Sequence, residues 1–188
     1  ASPWLVLVVR QVRAAQAPTK VMLSVDSLEG VATRFEAEHA QLMVTVLPHA
    51  AAPGLTVRAL PKLKARLVAH RDHPLAKLNR VTRQDLAQHV LLTVRGSDPR
   101  LQLATADLDT QSTVHLPDFH SKKAAIVAGI GFGWLPDWLI DDAAAQRELK
   151  PLQLHQGTVH TFEPRVVIRG TLGKAGAALL TQLTAGDS

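Results

Sequence analysis

The chain has 188 residues, 46% apolar and 20% charged, enough apolar matter for a folded core and too little charge for a disordered chain. It holds no cysteine, which excludes disulfides and thiolate metal sites, and no apolar run reaches the ~18 residues that a membrane span needs. The net charge is +5, but the basic residues are scattered, there is no tyrosine and there are four phenylalanines, so a solvated basic surface is the better reading than a nucleic-acid groove.

The run WLVLVV near the start is too short to span a membrane and is followed by no secretion-type cleavage pattern, so a soluble cytoplasmic protein is expected. Residues 6–16 suit a helix that Pro18 ends. KVMLSVDS, residues 20–27, reads as a buried strand. Asp26 or Ser27 can then cap a helix over about 28–39, where Leu28, Val31, Ala32 and Phe35 recur at helical spacing. QLMVTVLP (41–48) is a second buried strand, and LTVRAL alternates so that Leu55, Val57 and Ala59 share a face. ARLVAH (65–70) is a strand and RDHPLAKL a turn.

Thr82 caps a short helix, and VLLTVR (90–95) is a strand. TVHLPD is a strand that leads into a helix from Ser121 to Ala128, stopped at Gly129 or Gly131. GFGWLP is a short strand-like return, DWLIDDAAAQREL one helix, RVVIRG (165–170) a strand and KAGAALLTQL a closing helix. Strands alternating with helices predict an α/β fold with largely parallel sheets.

The stretch DFHSKKAAIVAGIGFGWLP (118–136) raises the question of chemistry. Its glycines follow a helix, whereas a nucleotide fingerprint needs them between a strand and a helix, so a phosphate loop is rejected. His120 and Ser121 are adjacent, there is no G-x-S-x-G elbow, and neighbouring side chains diverge on a helix, so a nucleophile pair is rejected too. The nine histidines are dispersed; His70 and His73 have i,i+3 spacing, but they sit in a turn with no further ligand nearby and read as surface, so no metal is expected. What remains is binding. Asp26 and Ser27 at one strand-to-helix junction, and Phe119, His120 and Ser121 at another, suit a carboxylate or similar anion; plain helix capping is the competing reading for both.

Several segments together resemble the effector-binding domain of LysR-type transcriptional regulators: TKVMLSVDS, GVATRFEAEH, LTVRALPKLKARLVAHRDHPLAKL, DFHSKKAAIVAGIGFGWLPDWLI, ELKPLQL and RVVIRGTLGKAGAALLTQL. The resemblance covers roughly residues 19–183; each motif is weak and their order and spacing are fairly specific. It implies an α/β architecture of two Rossmann-like subdomains joined by two crossovers, periplasmic-binding-protein-like (type II). Residues 1–17 would be a linker-helix remnant, 18–63 with 162–188 the first subdomain and 64–161 the second. The winged helix-turn-helix domain of the family is not in this sequence, so DNA would be bound only through that domain.

The resemblance further implies no catalysis and no cofactor. A small-molecule effector would bind in a cleft lined by Ser27, Thr93, Arg95, Phe119, His120 and Ser121, with Asp26 beside them, and a homo-oligomer (dimer or tetramer) would carry the response. One departure stands out. After FEAEH the family has a strand, a helix and another strand; here QLMVTVLP follows at once, so one β–α unit is absent, through a shortened domain or a join between separated segments. Two other readings compete: a stand-alone solute-binding protein of the periplasmic type, and an enzyme on the same architecture, which would need a reactive cysteine or an acid–base cluster. The helix faces Val31/Ala32/Phe35 and Ala124/Ala125/Val127/Ala128 are candidates for contacts between copies or for packing on their own sheets.

Overall fold

Residues 20–27 do not enter a sheet in the computed structural model, which describes residues 10, 20–28, 30–49, 52–94, 101, 103–110, 112–155 and 157–185. The buried strand expected there is corrected: Met22 is 90% and Val25 86% exposed, and Val21 and Leu23 are exposed too. The segment is held by side chains instead. Ser24 Oγ donates to Glu38 Oε2 at 3.1 Å, and Asp26 Oδ2 accepts from Arg34 Nε at 2.8 Å. Both partners lie on or just past α1 (Gly30–Ala37), so this segment follows the polar side of a helix rather than a strand edge. The helix expected over 6–16 lies, apart from Arg10, outside the described residues.

From α1 the chain turns through His39, which adopts a positive φ of 49°, straight into β1 (Leu42–Thr45). β2 (Leu55–Ala59) follows; Leu55 and Val57 share a half-buried face, but Ala59 is exposed. Next come β3 (Leu63–His70), a 3-10 turn at Pro74–Lys77, α2 (Arg83–Ala87) and β4 (Val90–Val94). α2 starts as its sequence predicts: Thr82 Oγ1 accepts from Asp85 N, and the Asp85 carboxylate accepts from Thr82 N at 2.8 Å, a reciprocal capping box. The rest are β5 (Ser112–Leu116), α3 (Phe119–Val127), β6 (Phe132–Pro136), α4 (Asp137–Ile140), α5 (Ala143–Glu148), β7 (Leu149–Pro151), β8 (Val159–Phe162), β9 (Arg165–Arg169) and α6 (Lys174–Ala185). The single helix expected after Pro136 is thus two. Asp142 interrupts it by accepting from Ala145 N at 2.7 Å, because an aspartate gains more as a cap than inside a helix.

The chain forms two compact units, Ala1–Lys62 with Glu163–Ser188, and Leu63–Phe162, and passes between them twice. The first has a three-stranded sheet in the order β1-β9-β2. Its central strand buries Val166 and Ile168 with Leu180 and Leu183 on one side, and Val167 with Phe35 and Met43 on the other. Phe35 therefore packs on its own sheet, with Val31 and Ala32 beside it.

The second unit has a six-stranded sheet in the order β5-β4-β6-β3-β7, with β8 also on β3. β3 is paired along both edges, with β6 on one side and with β8 and then β7 on the other. Alternation along the strands sorts the core into two faces. Leu67, Phe132 and Trp134 join Leu75, Leu86 and Leu152 on one; Val68, Leu92 and Leu135 join Ile126, Leu139 and Leu149 on the other. The expectation of largely parallel sheets is corrected. Only β4 runs parallel to its partners, β5 and β6, while β3 is antiparallel to β6, β7 and β8, and β9 to β1 and β2. The reason is topological: the chain enters this unit on β3 and leaves it on β8, so the two passes lie side by side in opposite directions.

Candidate functional site

The stretch 118–136 folds as strand end, helix and return strand. α3 begins two residues earlier than the sequence predicts, because Asp118 and not Ser121 is its cap: Asp118 Oδ1 accepts from Ser121 N at 2.8 Å. That bond, first among its causes, holds the Asp118 carboxyl below the usual carboxylate range. Ser121 Oγ turns back to the same carboxylate at 3.3 Å. Phe119 is 39% exposed, and His120 is exposed with its ring tilted against Trp138 at 5.9 Å between centroids. Phe119, His120 and Ser121 are thus brought together on one helical turn. Gly129, with φ +75°, lets the chain leave the helix.

Lys122, the next residue, is 4% exposed. It lies on the sheet-facing side of α3 with Ile126, one turn further on. The room for it comes from Gly133 in β6: a Cβ built there would stand 2.6 Å from Lys122 Cε and 3.3 Å from Nζ, and would also meet the Leu92 carbonyl. The ammonium is 5.7 Å from the centroid of the Phe119 ring. Desolvation lowers its pKa from the usual lysine value to about 7.

Thr93 lies one residue before the end of β4, which like β5 runs toward the start of α3. Strand alternation turns Thr93 toward the face that carries Leu91 and Phe132, opposite to the face that α3 covers with Ile126. Thr93 and the 119–121 turn therefore share one end of the sheet but not one face. Arg95 lies outside the described residues. Asp26 and Ser27 belong to the other unit. Ser27 Oγ accepts from Gly30 N at 3.2 Å, a helix-start bond, and the Asp26 carboxylate is held below its ordinary range first by Arg34 and then by Ser27 N. His73, read from the sequence as surface, is corrected: it is buried, its Nδ1 accepts from Leu75 N at 3.2 Å, and its ring meets His89 edge-on at 4.8 Å. Among the described residues no three histidines or carboxylates stand close enough together to hold a metal ion.

A family profile described as LysR substrate binding domain matches residues 1–182. The chain belongs to this family. No curated protein matches its sequence. Solved structures show the same fold at low identity. The regulatory domain of CcmR from Synechocystis PCC6803, in complex with 2-PG, is 20% identical with a TM-score of 0.77, over 97% of this chain and 90% of that one. The C-terminal domains of a LysR family protein from Agrobacterium tumefaciens str. C58 are 22% identical with a TM-score of 0.76, over 97% and 88%. Full-length LysG from Corynebacterium glutamicum, with bound effector Arg, is 16% identical with a TM-score of 0.77, and the matched part is 98% of this chain and 63% of LysG.

This LysR substrate-binding domain has the α/β fold of type II periplasmic binding proteins, and its family is one of regulatory ligand-binding domains rather than enzymes. No helix among the described residues is long and apolar enough to cross a membrane. Lys122 and Gly133 escaped the sequence reading of this domain. The signal was present: Phe119, Lys122 and Ile126 fall at i, i+3 and i+7, which puts a lysine in an apolar helix stripe. Gly133 interrupts an apolar strand, a mark of close approach by another group.

Proposed function

We propose that this LysR substrate-binding domain senses a small anionic metabolite, without transforming it, and passes binding on as a change in the packing of chain copies, a dimer or a tetramer in the cytoplasm. DNA contact is assigned to a winged helix-turn-helix domain rather than to the scattered basic residues of this chain. The observation that carries the reading is the family match across residues 1–182. It is supported by the half-exposed Phe119 and exposed His120 at a strand-to-helix junction, the place where parallel α/β units take ligands. Two relatives on this fold are described with small ligands, 2-PG for CcmR and Arg for LysG. The residues proposed for binding are Asp26, Ser27, Thr93, Arg95, Phe119, His120 and Ser121.

A thermal-shift screen of metabolites tests this. A true effector at about 100 times its dissociation constant stabilises by about 2.7 kcal/mol. The double variant Ser27→Ala/Ser121→Ala should fold and lose that response. A retained response would remove both serines from the site, and a screen in which no metabolite stabilises the chain would sink the effector reading.

A further inference from the structure

Among the described residues, Lys122 is the one lysine, arginine or carboxylate that is buried. No hydrogen bond or ion pair holds it. Desolvation alone shifts its pKa; neither Asp118 nor any other charge contributes. A buried ammonium without an anion is costly, and a leucine or methionine here would pack beside Ile126 at no such cost. The fold nevertheless makes space for it, through the missing side chain of Gly133 in a central strand and the Phe119 ring 5.7 Å away.

The ammonium is buried but not wholly sealed. Every described side-chain nitrogen or oxygen that is fully sealed and not on an exposed residue has a hydrogen-bond partner. Lys122 Nζ has none, so it keeps a window to solvent. The Ser121 amide at the start of α3 does not compete for a ligand, because Asp118 already occupies it. We infer that the Lys122 ammonium is the counter-charge for an anionic group, carboxylate or phosphate, of a small ligand bound at the start of α3 beside Phe119. This assignment rests on the reading of the domain as an effector sensor and names the group that the effector must carry. It implies that binding is proton-linked: an anion favours the charged lysine, so above neutral pH the complex takes up a proton.

The test is to follow the Lys122 ε-methylene by NMR through a pH titration of the whole chain, assigned by its loss in Lys122→Met. Sodium chloride, sodium acetate and sodium phosphate are compared at matched ionic strength. The midpoint should rise with acetate or phosphate above its value in chloride, and the larger rise identifies the carboxylate or the phosphate. A midpoint equal in all three salts overturns the assignment. An effector from the screen should bind Lys122→Met roughly 30-fold more weakly or worse; unchanged affinity overturns it as well. If the anions move Lys122 but no metabolite stabilises the wild-type chain, the anion site stands and the effector reading falls.

Discussion

In the Leu63–Phe162 unit, β3 is paired along both edges and covered on both faces, and Leu67 and Val68 on its two faces are fully buried. In the other unit β9 holds the same place, with Val166 and Val167 fully buried, but among the described residues its sheet has three strands and β1 and β2 are both edges. Residues 20–27 are as apolar as β3 in places, yet Met22 is 90% exposed and the segment joins neither edge. The contrast shows what buries a strand. Apolar side chains alone do not; a strand needs hydrogen-bonding neighbours, and the polar ties of Ser24 and Asp26 to Glu38 and Arg34 hold this segment along α1 instead.

Two substitutions break the comparison at its extremes. Phe132→Ala empties a fully buried site in the larger sheet and should cost about 3–5 kcal/mol. Met22→Ser changes a side chain that touches little and should stay within about 0.5 kcal/mol of the parent. Urea unfolding of both variants checks this. A large loss from Met22→Ser would mean that residues 20–27 are packed in solution after all.

The same contrast explains how much could be read from the sequence. β3, β4, β5, β9 and the Thr82 cap were legible, because side-chain alternation and capping chemistry are local. Strand direction was not, because it depends on where the chain re-enters the sheet; the antiparallel β3–β6 pair joins residues about seventy apart. The junction at Phe119, His120 and Ser121 was legible as a helix start, but its cap was misplaced by three residues, since Asp118 outcompetes a serine already inside the first turn. Lys122 was harder to read because a lysine beside another lysine reads as surface; its place in the stripe of Phe119 and Ile126 is the local signal, and the close approach of Gly133 accounts for its burial.

A smaller effect, spread over pH, separates those two lysines. Lys122 has its pKa lowered to about 7 by burial, so between that value and its ordinary one the unfolded chain binds more protons than the folded chain. Stability should therefore rise with pH across this window, by about 1.4 kcal/mol per unit. Below neutral pH the burial penalty is fully present and constant. Lys122→Met should be more stable than the parent at neutral pH and should lose this slope. Lys123→Met should keep it, because Lys123 is paired with Asp142 at 2.9 Å near the surface. Denaturant midpoints at pH 7, 8 and 9 decide it, and equal slopes in the parent and Lys122→Met would mean that the ammonium is hydrated in the folded state.

A modest change is expected at the cap. Asp118→Ala removes the acceptor of the Ser121 amide and should lower the unfolding midpoint modestly, well short of Phe132→Ala, because the group is solvent-exposed. The sign with pH follows from its lowered pKa. The contribution is present above the ordinary carboxylate range and is lost as pH falls through the folded value, so parent and variant should converge in acid. The variant also sharpens the anion assignment. With the Asp118 carboxylate gone, the Ser121 amide becomes a free donor at the start of α3, and the repulsion of an incoming anion is removed. Acetate or phosphate should then raise the Lys122 midpoint further than in the parent. An unchanged response would place the bound anion away from the helix start and leave Lys122 to hold it alone.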